Sequence, residues 1–374
     1  MTRTSYLDNI KIFLVVLVIA HHTAITYAGT GGWYYKEGLQ TPLDVGILGS
    51  FCAINQAYFM SLFFFISAYF TPASFSRRGA RGFIKEKLVR LGIPLVAFDF
   101  VLHPLTLGML YPGALSSPGT SYLEYLRGFD GIGRGPLWFV EALLIFSLIY
   151  AAWRAVTGDR VPGDGEDRAF PSPGVIAASV VALAVAGYLV RAVWPVGYVF
   201  RPLAFQLPFF PLYIAFYCFG LIAARRGWLD RLDGRVGPLA ATASILLMAA
   251  FPLMVTLGGA FSGKLPEFMG GLGWRAGLYA FWESALCFAM CTGLLWIFKS
   301  RVQCSGPVQK ALASSAYTAY IIHTPVLVFI TLSLKSVALP PIAKFAVSGS
   351  LAVTASFGAG FLLLTVFPGL RRVL

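Results

Sequence analysis

Charge is scarce in this chain. Only 12% of its 374 residues are Asp, Glu, Lys or Arg, about half the share of an ordinary soluble domain. Acidic residues are the rarer sign, 16 against 29 basic ones, and histidine occurs four times. The five cysteines (Cys52, Cys218, Cys287, Cys291, Cys304) form no CxxC pair, so neither a disulfide nor a metal site is expected. No GxSxG, Walker A, GxGxxG or HExxH stretch occurs, which argues against a serine esterase built on a nucleophile elbow. There is no 20- to 50-residue repeat and no low-complexity tract. Met1 to Ser5 has no short apolar region or small-residue cleavage site, so no cleavable signal peptide is expected.

What is present is apolar length. The chain is 57% hydrophobic with a mean hydropathy of +0.74, the composition of a polytopic membrane protein. Apolar runs of about 20 residues predict ten spans, near 6–27, 46–70, 91–111, 137–157, 173–193, 205–224, 237–259, 276–298, 313–334 and 342–367. The expected fold is therefore an all-α membrane helix bundle forming one domain over 1–374, with no separate soluble domain. The formal net charge of +13 would suggest nucleic acid in a soluble protein. Here the basic residues sit in short loops, so topology and anionic lipid account for them and no nucleic-acid partner is expected.

Nineteen Lys and Arg fall in one set of alternating connections and nine in the other, with Lys11 inside a span. The positive-inside rule then puts both termini in the cytoplasm, which an even number of spans allows. The segment 158–172 reads as a flexible cytoplasmic loop. The segment 29–44, with Trp33, Tyr34 and Tyr35, reads as an outer loop with interfacial aromatics.

The first span carries Asp8, Asn9, Lys11, His21 and His22. Ionisable groups inside a span are costly and point to function. Lys11 and His22 are eleven residues apart, roughly 20° off three full turns, so both project from one face. Asp8 lies within about 40° of His22, whereas His21 points about 100° away. The rise from Lys11 to His22 is ~16 Å. The plainer alternative is a snorkelling lysine and a histidine bonded to a neighbouring helix.

Further candidates follow in order. Lys87 and Arg90 in the basic segment after the second span are three apart and share a helix face. Two such cations would suit phosphates, although the topology rule alone also explains a basic loop. Asp99 and His103, spaced i,i+4, read as a mutually satisfied pair, and Pro104 marks a kink or break. Trp138 and Glu141 combine a ring that can stack on a sugar with an acceptor for its hydroxyls. An interfacial tryptophan and a helix-start acid are the plain alternative. Glu283 is a lone acid within a span and needs a partner or a wet cavity. Cys287 and Cys291 continue its face and read as packing. Tyr317, Tyr320 and His323 share a broad face of the ninth span, and His323 reads as a pocket wall, an acceptor contact or a structural hydrogen-bonding group.

Lys11, ten residues, then His22, within YLDNIKIFLVVLVIAHH, resembles the Arg/Lys-x10-His signature of the membrane acyltransferase-3 family. Lys87-Leu88-Val89-Arg90 resembles that family's RxxR motif, with lysine at the first place. LWF-x-x-x-LL around Trp138 is similar, as is the late SSAYTAYIIHTP stretch, apart from Ala316 between Ser315 and Tyr317. The resemblance implies transfer of an acyl group, acetyl or succinyl, from cytosolic acyl-coenzyme A to a hydroxyl of an envelope carbohydrate or similar acceptor. Acyl-coenzyme A would be a co-substrate, with no permanently bound cofactor and no metal. In that reading His22 is the general base or carries the acyl group, and Lys11 guides the donor or orients Asp8. Lys87 and Arg90 hold donor phosphates, and Trp138, Glu141, Glu283 and His323 meet the acceptor. A proton-coupled transporter and a non-enzymatic partner of an envelope-polymer pathway are the two other classes.

Overall fold

A computed structural model describes residues 5–28, 31–38, 40–110, 135–158, 170–201, 203–232 and 234–374. Arg3, Arg127, Arg134, Arg160, Arg168 and the 159–169 part of the expected cytoplasmic loop lie outside these residues. Among the described residues the secondary structure is helical and no strand forms beyond an isolated bridge between Phe200 and Phe205. Among the described residues ten helical runs are long and apolar enough to cross a membrane, as the hydropathy pattern predicts. The chain is a multi-pass membrane protein.

The first two helices are α1 (Ser5–Ala28) and α2 (Pro42–Tyr69). A capping box starts α2: Thr41 accepts from the Asp44 amide, and the Asp44 carboxylate accepts from the Thr41 amide at 2.9 Å. Pro42 stands at the first helical position, where its missing N–H costs nothing. The third run differs from expectation. It begins at residue 71, not 91, because the basic segment is itself helical: α3 (Thr71–Lys87), α4 (Ile93–Ala97) and α5 (His103–Leu110). Gly79 interrupts α3 with φ +67°, a left-handed conformation that glycine adopts without strain. Two π-helical turns, Leu88–Gly92 and Phe98–Leu102, each precede a proline by two residues, Pro94 and Pro104. Re-spacing the hydrogen bonds accommodates the absent proline N–H, so the helix continues through Pro104 after a wider turn.

The remaining helices are α6 (Trp138–Thr157), α7 (Pro173–Val193), α8 (Phe210–Arg226), α9 (Val236–Leu257), the short α10 (Leu265–Met269), α11 (Trp274–Arg301), α12 (Pro307–Ser333) and α13 (Pro341–Val366). Ser172 caps α7 through the Val175 amide, and left-handed Gly227 ends α8. Helices α7 and α9 form the periphery. Their exposed side chains, such as Val181, Val185, Leu189, Ile245 and Leu246, present an apolar surface suited to lipid.

Helix α1 occupies the interior and packs against α2, α11, α12 and α13. Leu7, Ile10, Leu14 and Ile19 are fully buried along it. Its polar groups find long-range partners. Asn9 Nδ2 donates to the carbonyls of Val302 (2.9 Å) and Cys304 (3.0 Å), and the Tyr27 hydroxyl meets Ser348 Oγ at 2.8 Å. The small-residue crossings are equally close. At Gly220 of α8, a Cβ would stand 2.3 Å from the Phe65 carbonyl oxygen of α2.

Candidate active site

A cavity of about 590 Å³ lies at the end of the bundle away from the N-terminus of α1. His21, His22 and Ile25 of α1, Gln56 and Phe59 of α2, Trp138 of α6, Phe209 before α8, Tyr279 of α11 and Tyr320 of α12 line it. Gly31, Gly32, Val196, Gly197 and Val199 of the connections and Met269 of α10 also line it.

His22 and His323, assigned separately from sequence, touch. His22 Nδ1 stands 3.1 Å from His323 Nε2, and His323 Nδ1 stands 2.5 Å from the Tyr320 carbonyl oxygen. Trp33 lies flat over the His22 ring, with centroids 4.1 Å apart and planes 14° apart. From sequence Trp33 reads as an interfacial aromatic of an outer loop, but it is folded into the site. The loop is held there by the Glu37 amide, which donates to the Thr26 carbonyl at 2.9 Å, and by an ion pair between Glu37 and buried Lys344. Gly31 turns the chain with φ +85° beside Ile25.

His21 packs against α2, as its angular position predicts. Its ring stacks on Phe59 with centroids 5.1 Å apart, and Asn55 Nδ2 lies 3.4 Å from its Nδ1. His21 also borders the cavity, which the helical wheel alone does not convey.

At the opposite end of α1, Lys11 does hold Asp8, with Nζ 3.1 Å from the carboxylate, and its ammonium lies 4.8 Å from the Phe70 ring centroid. This pair is about three to four turns from His22, ~16–21 Å along the helix. Neither residue borders the cavity described above, so neither touches His22. The two ends of the stripe are separate places, as the ~16 Å rise between Lys11 and His22 predicts. Lys87 is half-buried with its ammonium 5.3 Å from the Phe83 ring, and Arg90 is exposed. The Tyr317 hydroxyl donates to the Arg90 carbonyl at 2.7 Å, tying this basic segment to α12.

Trp138 is on the cavity wall. It stacks on Tyr213 at 5.5 Å and 25°, and Gln56 Nε2 donates to the Tyr213 hydroxyl at 2.8 Å. Gln56 and Tyr213 carry no sequence pattern that marks them. Glu141, one turn on from Trp138, is buried and does not border the cavity. The expected tryptophan–acid combination thus reduces to the tryptophan, because the i,i+3 step carries Glu141 behind the wall. Glu283 is corrected in the same way. It forms an ion pair with Arg191 of α7, with side-chain exposures of 3% and 0%, instead of facing the cavity. The guanidinium lies over the rings of Phe209 (5.3 Å) and Tyr279 (5.2 Å), so the pair braces two wall residues from behind. His103 Nδ1 meets the Tyr34 hydroxyl at 2.6 Å.

The arrangement offers a histidine at the edge of an aromatic-lined chamber, a second histidine in contact with it, and a distant basic end on the same helix. That is a setting for proton transfer at a hydroxyl held on a stacking surface. No curated protein and no solved structure matches the chain. The family model described as acyltransferase domain matches residues 4–364, nearly the full length, and so the chain belongs to the membrane acyltransferase-3 family and is an acyltransferase.

Proposed function

We propose that this enzyme moves an acetyl or succinyl group from cytosolic acyl-coenzyme A to a hydroxyl of an envelope carbohydrate, with His22 as general base. The observation that carries this reading is the position of His22 on the wall of the 590 Å³ cavity, facing the same space as Trp138. A sugar ring stacks on an indole, and Gln56 on the same wall supplies polar contacts.

The two ends of α1 divide the work. The alternation of basic residues along the chain favours cytoplasmic termini. Glu37 pairs with Lys344 at the start of α13 at one end of the bundle, while Lys299 near the end of α11 bonds the Leu229 and Asp230 carbonyls at the other. Lys87 and Arg90 then face the cytosol, where they bind the donor's phosphates, Lys11 guides the donor or orients Asp8, and the cavity lies toward the outer side. The acceptor hydroxyl gives its proton to His22 as its oxygen bonds the thioester carbonyl carbon. The carbon–sulfur bond then breaks, and the departing thiolate recovers a proton from His22.

The test is consumption of acetyl- or succinyl-coenzyme A by purified protein with a carbohydrate acceptor. His22→Gln keeps hydrogen bonding but cannot serve as the base, so it should fall by roughly 10²–10⁴-fold with donor binding intact. His21→Ala should keep most activity. An active His22→Gln enzyme would rule out the base role.

A further inference from the structure

The contact between the two histidines determines which nitrogen of His22 can act. The Tyr320 carbonyl has only lone pairs to offer, so His323 Nδ1, 2.5 Å away, carries a hydrogen. A neutral imidazole has one such hydrogen, which leaves His323 Nε2 a bare acceptor. His22 Nδ1 faces that acceptor at 3.1 Å and must supply the hydrogen between them. His22 Nε2, on the other edge of the ring, then keeps its lone pair.

Ring geometry supports the same polarity. The two planes differ by 15° and the centroids are 5.2 Å apart, while the facing nitrogens are 3.1 Å apart. Those three values place the rings largely edge to edge, so the N–H and the lone pair are close to collinear. Trp33 covers both rings, 4.1 Å from His22 and 6.0 Å from His323, each within 15° of parallel. The chain of donors therefore runs from His22 to His323 to the α12 backbone, and His323 is fully buried.

We propose that His323 is a positioning residue that fixes His22 in the tautomer with a basic Nε2 and shares the positive charge when His22 is protonated. This rests on the reading of His22 as general base. The acceptor proton adds to Nε2, while the Nδ1 hydrogen stays in its bond to His323, where the developing imidazolium strengthens it. When the thiolate takes the proton from Nε2, both rings return to their starting state. His323 therefore acts through His22, without touching the acceptor.

The test uses full-length protein in detergent, labelled with nitrogen-15 histidine. Only four histidines contribute signals, and His21→Asn and His103→Asn variants assign them. In the wild type, His22 should show a protonated Nδ1 and a bare Nε2. His323→Gln sets an amide oxygen close to the place of the ring Nε2, so it should keep that tautomer and stay within about threefold of wild-type turnover. His323→Leu offers no acceptor. It should lose the tautomer preference and about tenfold or more in kcat, the worth of one hydrogen bond, at unchanged donor KM. A wild-type His22 protonated at Nε2 would overturn the proposal. So would a Leu variant that keeps both tautomer and rate, or Gln and Leu variants that fall equally with the tautomer unchanged. The nitrogen signals need neither donor nor acceptor. A protein that consumes no acyl-coenzyme A would fail the reaction reading, while the tautomer comparison would still decide the role of His323.

Discussion

Arg191 and Glu283 should be more strongly coupled than any exposed pair in the protein. Their side chains are 0% and 3% exposed, so neither charge can be rescued by solvent when the other is removed. Taking away one partner of such a pair costs about 3–5 kcal/mol, because the remaining charge stays buried. Arg191→Met and Glu283→Leu should each fall in that range, and independent effects would sum to roughly 6–10 kcal/mol. The double variant removes both charges and fills the space with apolar atoms, a change that is often close to neutral. Its stability should lie within about 2 kcal/mol of wild type, giving a coupling of several kcal/mol. Equilibrium unfolding of the four proteins in one detergent measures this directly. Because the guanidinium lies against Phe209 and Tyr279, the single variants should also raise the acceptor KM as the cavity wall loosens. Single-variant losses that add to the double-variant loss within about 0.5 kcal/mol, the range for independent sites, would refute the argument.

Three further outcomes are expected. Replacing Lys87 and Arg90 together by Ala should weaken acyl-coenzyme A binding by about 1–3 kcal/mol per lost phosphate contact, measured by donor titration, while Arg at position 87 should hold or improve it. Reporter fusions after Arg90 and after Arg226 should read cytoplasmic and one near Lys36 external; a cytoplasmic Lys36 would overturn the proposed orientation. Gly220→Ala should lower the unfolding midpoint, by a stability loss of about 1–3 kcal/mol, since the added methyl meets the Phe65 carbonyl oxygen at 2.3 Å and Ala68 Cβ at 2.8 Å.

The ten spans are legible in the sequence because each needs only a local property, some twenty apolar residues in a row. Lys11 and His22 are legible for a similar reason, since ionisable groups stand out against an apolar run. Partnerships are not local. Arg191 ends a span and reads as one more loop cation, and nothing near it in sequence points to Glu283, 92 residues away. Trp33 resembles any interfacial aromatic until its loop folds onto His22. The early start of the third run was hidden by charge: the basic segment 71–87 is too polar to register as a span yet forms a helix, as Arg, Lys and Ala readily do.

Helix α1 is made well before the partners that complete it. Asn9, His22 and Tyr27 take partners from Val302, His323 and Ser348, all contributed by the final quarter of the chain. His22 and His323 are separated by 301 residues. At about 5–20 residues per second of synthesis, α1 waits roughly 15–60 s for its neighbours. During that interval its polar side chains must be satisfied by α2, by water or by the insertion machinery, since bare lipid penalises them. Biogenesis of this enzyme therefore has to join helices that lie about 300 residues apart in sequence. A chain that stops before α12 keeps His22 but lacks His323, so the paired-histidine centre cannot form.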